Sequence, residues 1–117
     1  MRAVSVTALA VAATLATTTT GAAINIGDYQ GIALIHLNAG ACNAGTNTTR
    51  LQHSEDGSTG WNEVPNGSFA AVGVTASEQT LKLNTDALRK FVRVVDTLVT
   101  ATSAPRSVTL VGRKQYS

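Results

Sequence analysis

The sequence predicts an all-β fold, an antiparallel two-sheet sandwich, jelly-roll-like, built from eight or nine short strands. Three observations predict it. Apolar residues come in short runs or in strict alternation, and no stretch keeps helical spacing over the length of a normal helix. Gly, Asn, Asp and Pro signals return between these runs. The apolar residues themselves are largely Val, Ile and Ala beside many Thr, a β-branched set that packs well on a pleated surface. A small barrel satisfies the same pattern. The 117 residues make one domain, 1–117, with residues 1–20 as an N-terminal strand or an arm.

The elements follow in order. Val4, Val6, Ala8, Ala10 and Ala12 alternate with Ser5, Thr7, Leu9, Val11 and Ala13, a strand with small side chains on both faces. Gly21 interrupts, and Ala22 to Ile26 resumes with Ile24 and Ile26 on one face. Gly27-Asp28-Tyr29-Gln30-Gly31 is a turn. Ile32 to Leu37 is nearly continuous in apolar residues and predicts a central strand covered on both sides. Asn38 to Asn47 reads as a loop. Thr49, Leu51 and His53 then alternate with Arg50, Gln52 and Ser54. Glu55-Asp56-Gly57-Ser58 is a hairpin turn, Trp61 to Val64 its return strand, and Pro65-Asn66-Gly67 the next turn. Phe69 to Val74 is a strand weakened by Gly73, and Thr80 to Leu83 alternates again. Asn84 to Arg89 makes one helical turn capped by Asn84 or Thr85. Phe91 to Val95 is the strongest β run, extended or bulged through Leu98 to Thr102. Ala104-Pro105-Arg106 breaks it, Ser107 to Gly112 is the last strand, and Arg113 to Ser117 is a polar tail.

Composition narrows the class. Charged residues are 14%, well under the usual quarter, and aromatics are 4%. With 44% hydrophobic residues and a net charge of +2, the chain is not a disordered tail, a coiled coil or a polytopic membrane protein. The single cysteine, Cys42, excludes an intrachain disulfide. The N-terminal run starts like a cleavable signal, but Leu9 and Leu15 are its only strong hydrophobes. Thr17 to Thr20 prolong it in β-branched residues, so it reads as a strand. It is also shorter than the ~20 apolar residues of a helical membrane span.

No constellation carries chemistry. His36, Cys42 and His53 are too few and too irregularly spaced for a zinc site, and Cys42 has no base near it in sequence. Asp56-Gly57-Ser58 with Asn62 and Glu63 lacks the ordered spacing of a calcium loop. The glycines form no phosphate-cradling loop. No cofactor and no metal are expected, and the enzyme class is the weakest. Charge is uneven. Seven basic residues, Lys82, Arg89, Lys90, Arg93, Arg106, Arg113 and Lys114, follow residue 81, against Asp86 and Asp96. This reads either as solvated strand faces or as a basic patch for an acidic protein surface. Nucleic acid is disfavoured because only Phe91 and Tyr116 are placed to stack. Trp61 and Tyr29, both near turns, are core plugs or interface anchors.

The stretch from Leu51-Gln52-His53-Ser54-Glu55-Asp56-Gly57-Ser58 to Trp61-Asn62-Glu63-Val64-Pro65 resembles a motif of small tailed-bacteriophage virion structural proteins. Leu81-Lys82-Leu83-Asn84, Phe91-Val92-Arg93-Val94-Val95 and Val108 to Tyr116 fit the same order, as does Ile24 to Leu37. The likeness covers most of residues 22–117 and is greatest to β-sandwich capsid cement or decoration proteins. It implies a non-enzymatic capsid decoration subunit on the outer surface of the virion. Such a subunit would bind the major capsid protein and stabilise the head, as a homo-dimer or homo-trimer. The capsid contacts it implies are Tyr29, Trp61, Arg89, Lys90, Arg93, Arg113 and Lys114. A head–tail connector or tail component is one alternative, and a secreted carbohydrate-binding sandwich is another.

Overall fold

Which face of each strand is buried follows from its alternation. In a computed structural model that describes residues 4–114, the side chains of Val4, Ser5 and Lys114 excepted, nine strands form two antiparallel sheets. They are β1 (Val4–Leu15), β2 (Thr19–Thr20), β3 (Ile24–Asn25), β4 (Tyr29–Ala39), β5 (Thr46–Ser54), β6 (Asn62–Ser68), β7 (Ser77–Asn84), β8 (Phe91–Val99) and β9 (Ala104–Lys114). The first sheet runs β1-β9-β4-β7. The second runs β2-β8-β5-β6, with β3 also on β8.

β2 and β3 are one interrupted strand. Thr20 lies opposite Val95, Gly21 N–H donates to Val94 O at 2.7 Å, and Ile24 lies opposite Val92. Gly21 suits that close approach, since a Cβ there would stand 3.0 Å from Val94 O, a tight contact. With β2 and β3 joined, the pairs nest: β1 with β9, β2/β3 with β8, β4 with β7, and β5 with β6. This is a long antiparallel ribbon whose tip is the β5–β6 hairpin. Rolling it brings β4 beside β9 and β5 beside β8, which is the jelly-roll arrangement.

The inward set is Ala33, Ile35, Leu37 and Ala39 on β4, Leu51 on β5, Val92 and Val94 on β8, and Val108 and Leu110 on β9. Each large one contributes about 1.5–3 kcal/mol by leaving water. In β1 the register slips between Ala8 and Ala10, so that Leu9 and Ala10 both meet the core. Leu9, Ile26, Tyr29, Phe69 and Val72 complete this main cluster. A smaller cluster, Leu15, Cys42, Ala101 and Ala104 with Leu98 against it, fills the end where β1, β4 and β8 finish. Gly45 closes that end: its φ is 64°, and a Cβ would come within 1.9 Å of Val99 O.

Near this end a buried polar network crosses the sandwich. Asp96 on β8 accepts from Arg106 Nε on β9 at 2.9 Å, from Thr49 Oγ1 at 2.7 Å and from Asn47 Nδ2 at 3.3 Å, both on β5. Arg106 also donates to Val11 O on β1 at 2.9 Å.

Several expectations are corrected. β4 is central, but its outer face is open, with Ile32 52% and Leu34 45% exposed. The loop after it shrinks to residues 40–45. Pro65-Asn66-Gly67 is no turn; β6 passes through it as a bulge, with Asn66 at φ 60°. Pro65 is tolerated because β6 is an edge strand. Phe69 to Val74 forms no strand; it is held to β5 by the isolated Asn47–Val72 bridge and by Phe69 N–H donating to Thr49 O at 2.9 Å. Pro105 and Arg106 do not break the chain but open β9, where the Pro105 carbonyl still accepts from Gly40 N–H at 3.0 Å. Arg113 and Lys114 belong to β9, and residues 115–117 lie outside the described residues. The helical turn is a 3-10 turn at Thr85–Ala87, with the Asn84 side chain accepting from Asp86 N–H at 3.0 Å.

Arg106→Met leaves Asp96 buried without its cation. Urea unfolding of that variant is expected to show a loss of about 3–5 kcal/mol; a loss below 1 kcal/mol would show the network to be dispensable.

Candidate functional site

The residues singled out from the sequence do not converge. Tyr29 is 6% exposed, within the core, and its hydroxyl meets Thr7 Oγ1 at 2.5 Å, so it is no surface anchor. Trp61 is half-buried under the Arg93 guanidinium, 4.2 Å from the ring centroid, and Arg93 Nε donates to Gln52 Oε1 at 2.9 Å. These two lie against the outer face of the second sheet. Arg89 and Lys90 sit between the 3-10 turn and β8. Arg89 donates through its backbone to His53 Nδ1 at 3.2 Å and through its guanidinium to Gly60 O at 3.3 Å. Lys90 Nζ stands 5.7 Å from the Phe91 ring. Arg113 is exposed at the far end of β9, beside an open cleft lined also by Gln30, Gly31, Ile32 and Asp86. The Lys114 side chain, Arg2 and Tyr116 lie outside the described residues.

His36, Cys42 and His53 are likewise apart. His36 is on the outer face of the first sheet, its Nδ1 3.0 Å from Thr80 Oγ1. Cys42 is 4% exposed, its thiol directed at Val72 O. His53 faces the core. Among the described residues no group of three or more His, Cys, Asp or Glu is placed to hold a metal ion, and no helix is long and apolar enough to cross a membrane.

The Asp56 loop is a closed hydrogen-bond unit. Its carboxylate accepts from Ser58 N–H and Thr59 N–H, each at 2.9 Å, from Thr59 Oγ1 at 2.8 Å and from Ser54 Oγ at 2.9 Å. These donors, the backbone ones first, hold its pKa well below the usual carboxylate range.

What the sequence did not reveal is the outer face of the first sheet. Val6 pairs with Val111, Val111 with Leu34, and Leu34 with Lys82, one row across all four strands. Val6 is 66% exposed and Leu34 45%. Ile32, one step along β4, is also exposed. The nearly continuous apolar run at Ile32 to Leu37, broken by His36, is the signal for this face. That run predicts two-sided burial, but its alternate residues Ile32 and Leu34 face solvent.

The row ends at an edge strand, β1, whose first residues through Ala8 pair with β9 in regular register before the shifts at Ala8–Ala10 and Ala10–Ala13. β1 flanks β9 on one side only and contains neither a charged residue nor a proline. The other edges carry the usual protections: Pro65 and a bulge in β6, Glu78 and Lys82 in β7, and the break at Gly21–Ala23 between β2 and β3.

No protein-family model matches the chain, and no curated protein matches it. Among solved structures, a chain of the Bacillus endospore appendages, described as a novel family of disulfide-linked pili, superposes with a TM-score of 0.61 at 19% identity. The match covers 100% of this chain and 92% of that one. At this identity the likeness establishes a shared fold. It also corrects the expectation of a phage capsid cement subunit, because the chain sharing the fold from end to end is a pilus-like appendage protein. The same likeness is compatible with an external structural protein and offers no support for a virion as its location. The Ser-Glu-Asp-Gly-Ser turn and the Val-Pro that carried the resemblance are explained locally. The first is the self-bonded Asp56 loop and the second the bulge of an edge strand, features that any sandwich hairpin can hold.

Two groups make folding pH-dependent in the same direction. Burial first, then the Arg89 charge, lowers the His53 pKa from 6.5, and its Nδ1 must stay unprotonated to accept from Arg89 N–H. A depressed folded pKa means the unfolded chain binds the proton first. Stability is therefore full above about 6.5 and falls as the pH drops through the folded value. Asp56 adds a second loss below its ordinary 3.8. Thermal midpoints measured from pH 8 to 3 are expected to hold to about 6.5 and then fall. His53→Gln, which keeps an acceptor, is expected to remove the upper step and leave the acid one. A flat profile between pH 7 and 5 in the parent chain would contradict this.

Proposed function

We propose that this protein is a structural subunit of a surface appendage, one that works by joining copies of itself rather than by transforming a substrate. One observation carries this reading: the exposed apolar row Val6–Val111–Leu34 leads to an edge strand without charge or proline. Apolar residues contiguous on a surface mark contact sites, and a strand edge without charge or proline, regular here through Ala8, adds backbone hydrogen bonds to a strand laid beside it. The fold shared with an appendage subunit along the whole chain supports the same class. Many copies in an array turn weak contacts into durable ones.

The linkage differs from what the neighbour's description states for that protein. This sequence has one cysteine, and it is buried with its thiol on Val72 O, so copies are held together without disulfides.

The purified chain is expected to form extended assemblies visible by negative-stain electron microscopy and light scattering, unchanged by reductant. Val6→Lys is expected to raise the concentration needed for assembly by about tenfold or more. Its thermal midpoint should stay that of the parent, since Val6 makes no core contact. A parent chain that remains monomeric at high concentration, or assemblies that reductant dissolves, would refute the reading.

A further inference from the structure

We infer that β7 pairs edge to edge with β7 of a second copy, about a two-fold axis through Thr80, setting Glu78 of each copy against Lys82 of the other. The inference rests on the self-assembly just proposed and supplies its second contact.

β7 is the outermost strand of the first sheet on the side away from β1, with only β4 beside it. Its side chains alternate strictly. Glu78, Thr80, Lys82 and Asn84 are exposed on the outer face, while Ser77, Gln79, Leu81 and Leu83 turn inward. Gln79 is occupied on that inner side, where its amide bonds both Ala70 N–H, at 2.8 Å, and Ala70 O, at 3.0 Å. This tether fixes the start of β7 without covering its outer face.

The charge pattern selects the register. An antiparallel partner must set outward residues beside outward residues, so the axis passes through a residue and not between two. An axis through Glu78 or Lys82 places like charges directly opposite. Axes through Gln79 or Leu81 leave both charges facing neutral residues. Only the axis through Thr80 gives two Glu–Lys pairs, one on each side of a Thr–Thr pair, and these are the cross-strand pairs that stabilise a sheet. The strand is thus self-complementary, and a second copy is the occupant that its charges fit.

Two different edges then serve one assembly. A contact at β1 and a separate two-fold contact at β7 sit on opposite margins of the same sheet, so each copy bridges two neighbours and the array does not close. The competing role for Glu78 and Lys82 is to keep the edge unpaired, as charges on edge strands often do. The two roles predict opposite results.

The test uses sedimentation equilibrium of the full chain carrying Val6→Lys, which weakens the β1 contact, at concentrations below those at which the β1 contact of that variant forms. This protein is expected to be a dimer. Glu78→Lys and Lys82→Glu, each added singly, place like charges opposite and are expected to weaken the dimer about tenfold. An equimolar mixture of the two is expected to restore it as a heterodimer, because each strand then carries one sign. Should either reversal impair folding, Thr80→Cys gives an independent reading. Two cysteines on the axis would lie within disulfide reach, and oxidation should yield a covalent dimer. Reversals without effect, a mixture that stays monomeric, or Thr80→Cys that does not cross-link would overturn the inference. A monomeric Val6→Lys protein beside an assembling parent would overturn the β7 contact while leaving self-assembly intact. A parent that never assembles would instead sink the appendage reading itself.

Discussion

The buried pair of Asp96 and Arg106 is the constraint around which the rest of the sandwich is arranged. It joins β8 in one sheet to β9 in the other across residues that carry no further charge, and it reaches β5 through Thr49 and β1 through the Val11 carbonyl. Taking both ions out of water is costly, and only the full set of donors and acceptors offsets that cost. The pair therefore does more to specify than to stabilise. A one-residue slip of β8 or β9 would turn one of the two ions to the outside and strand the other. Asn47, whose Oδ1 is buried without a hydrogen-bond partner, shows how tightly the apolar surroundings close on this group.

That constraint explains what a reader of the sequence sees and misses. Strand existence was legible almost everywhere, because Val, Thr and Ile alternate and because Gly and Asp mark the hairpin tip at Asp56-Gly57. Strand ends were not. Pro65 and Pro105 read as breakers, yet each sits where its missing N–H is tolerated, in an edge strand and near a strand start. Arg106 read as surface charge because its partner is ten residues away in another sheet, a proximity that only the fold creates. The Ile32 to Leu37 run shows the same limit. Apolar continuity reports that a strand is central, and it leaves open whether its second face is covered by the chain itself.

The candidate surface was the least legible part. Local sequence favours the conspicuous residues, Trp61, Tyr29 and the cluster of arginines, and the fold gives most of these partners within the chain: Arg93 for Trp61, Gln52 for Arg93, Gly60 for Arg89. The residues left open are inconspicuous ones, Val6, Leu34 and Ile32. They become a surface only when β1, β9 and β4 are laid side by side. A resemblance built on turns and strand order reached the right architecture for the same reason that it reached the wrong assembly. Turns and strand order describe how the chain meets itself, whereas association is decided by what is left over.

The nesting of the strands also fixes a sequence of events in time. β1 leaves the ribosome about ninety residues ahead of β9, its partner in the sheet among the described residues. Until Ala104–Lys114 emerges, a strand of twelve residues without a single charge waits without a neighbour while everything between them is made. A cell producing this protein must keep that early strand away from the early strands of adjacent nascent chains. Premature pairing there would lock copies together before any one of them had closed its own core.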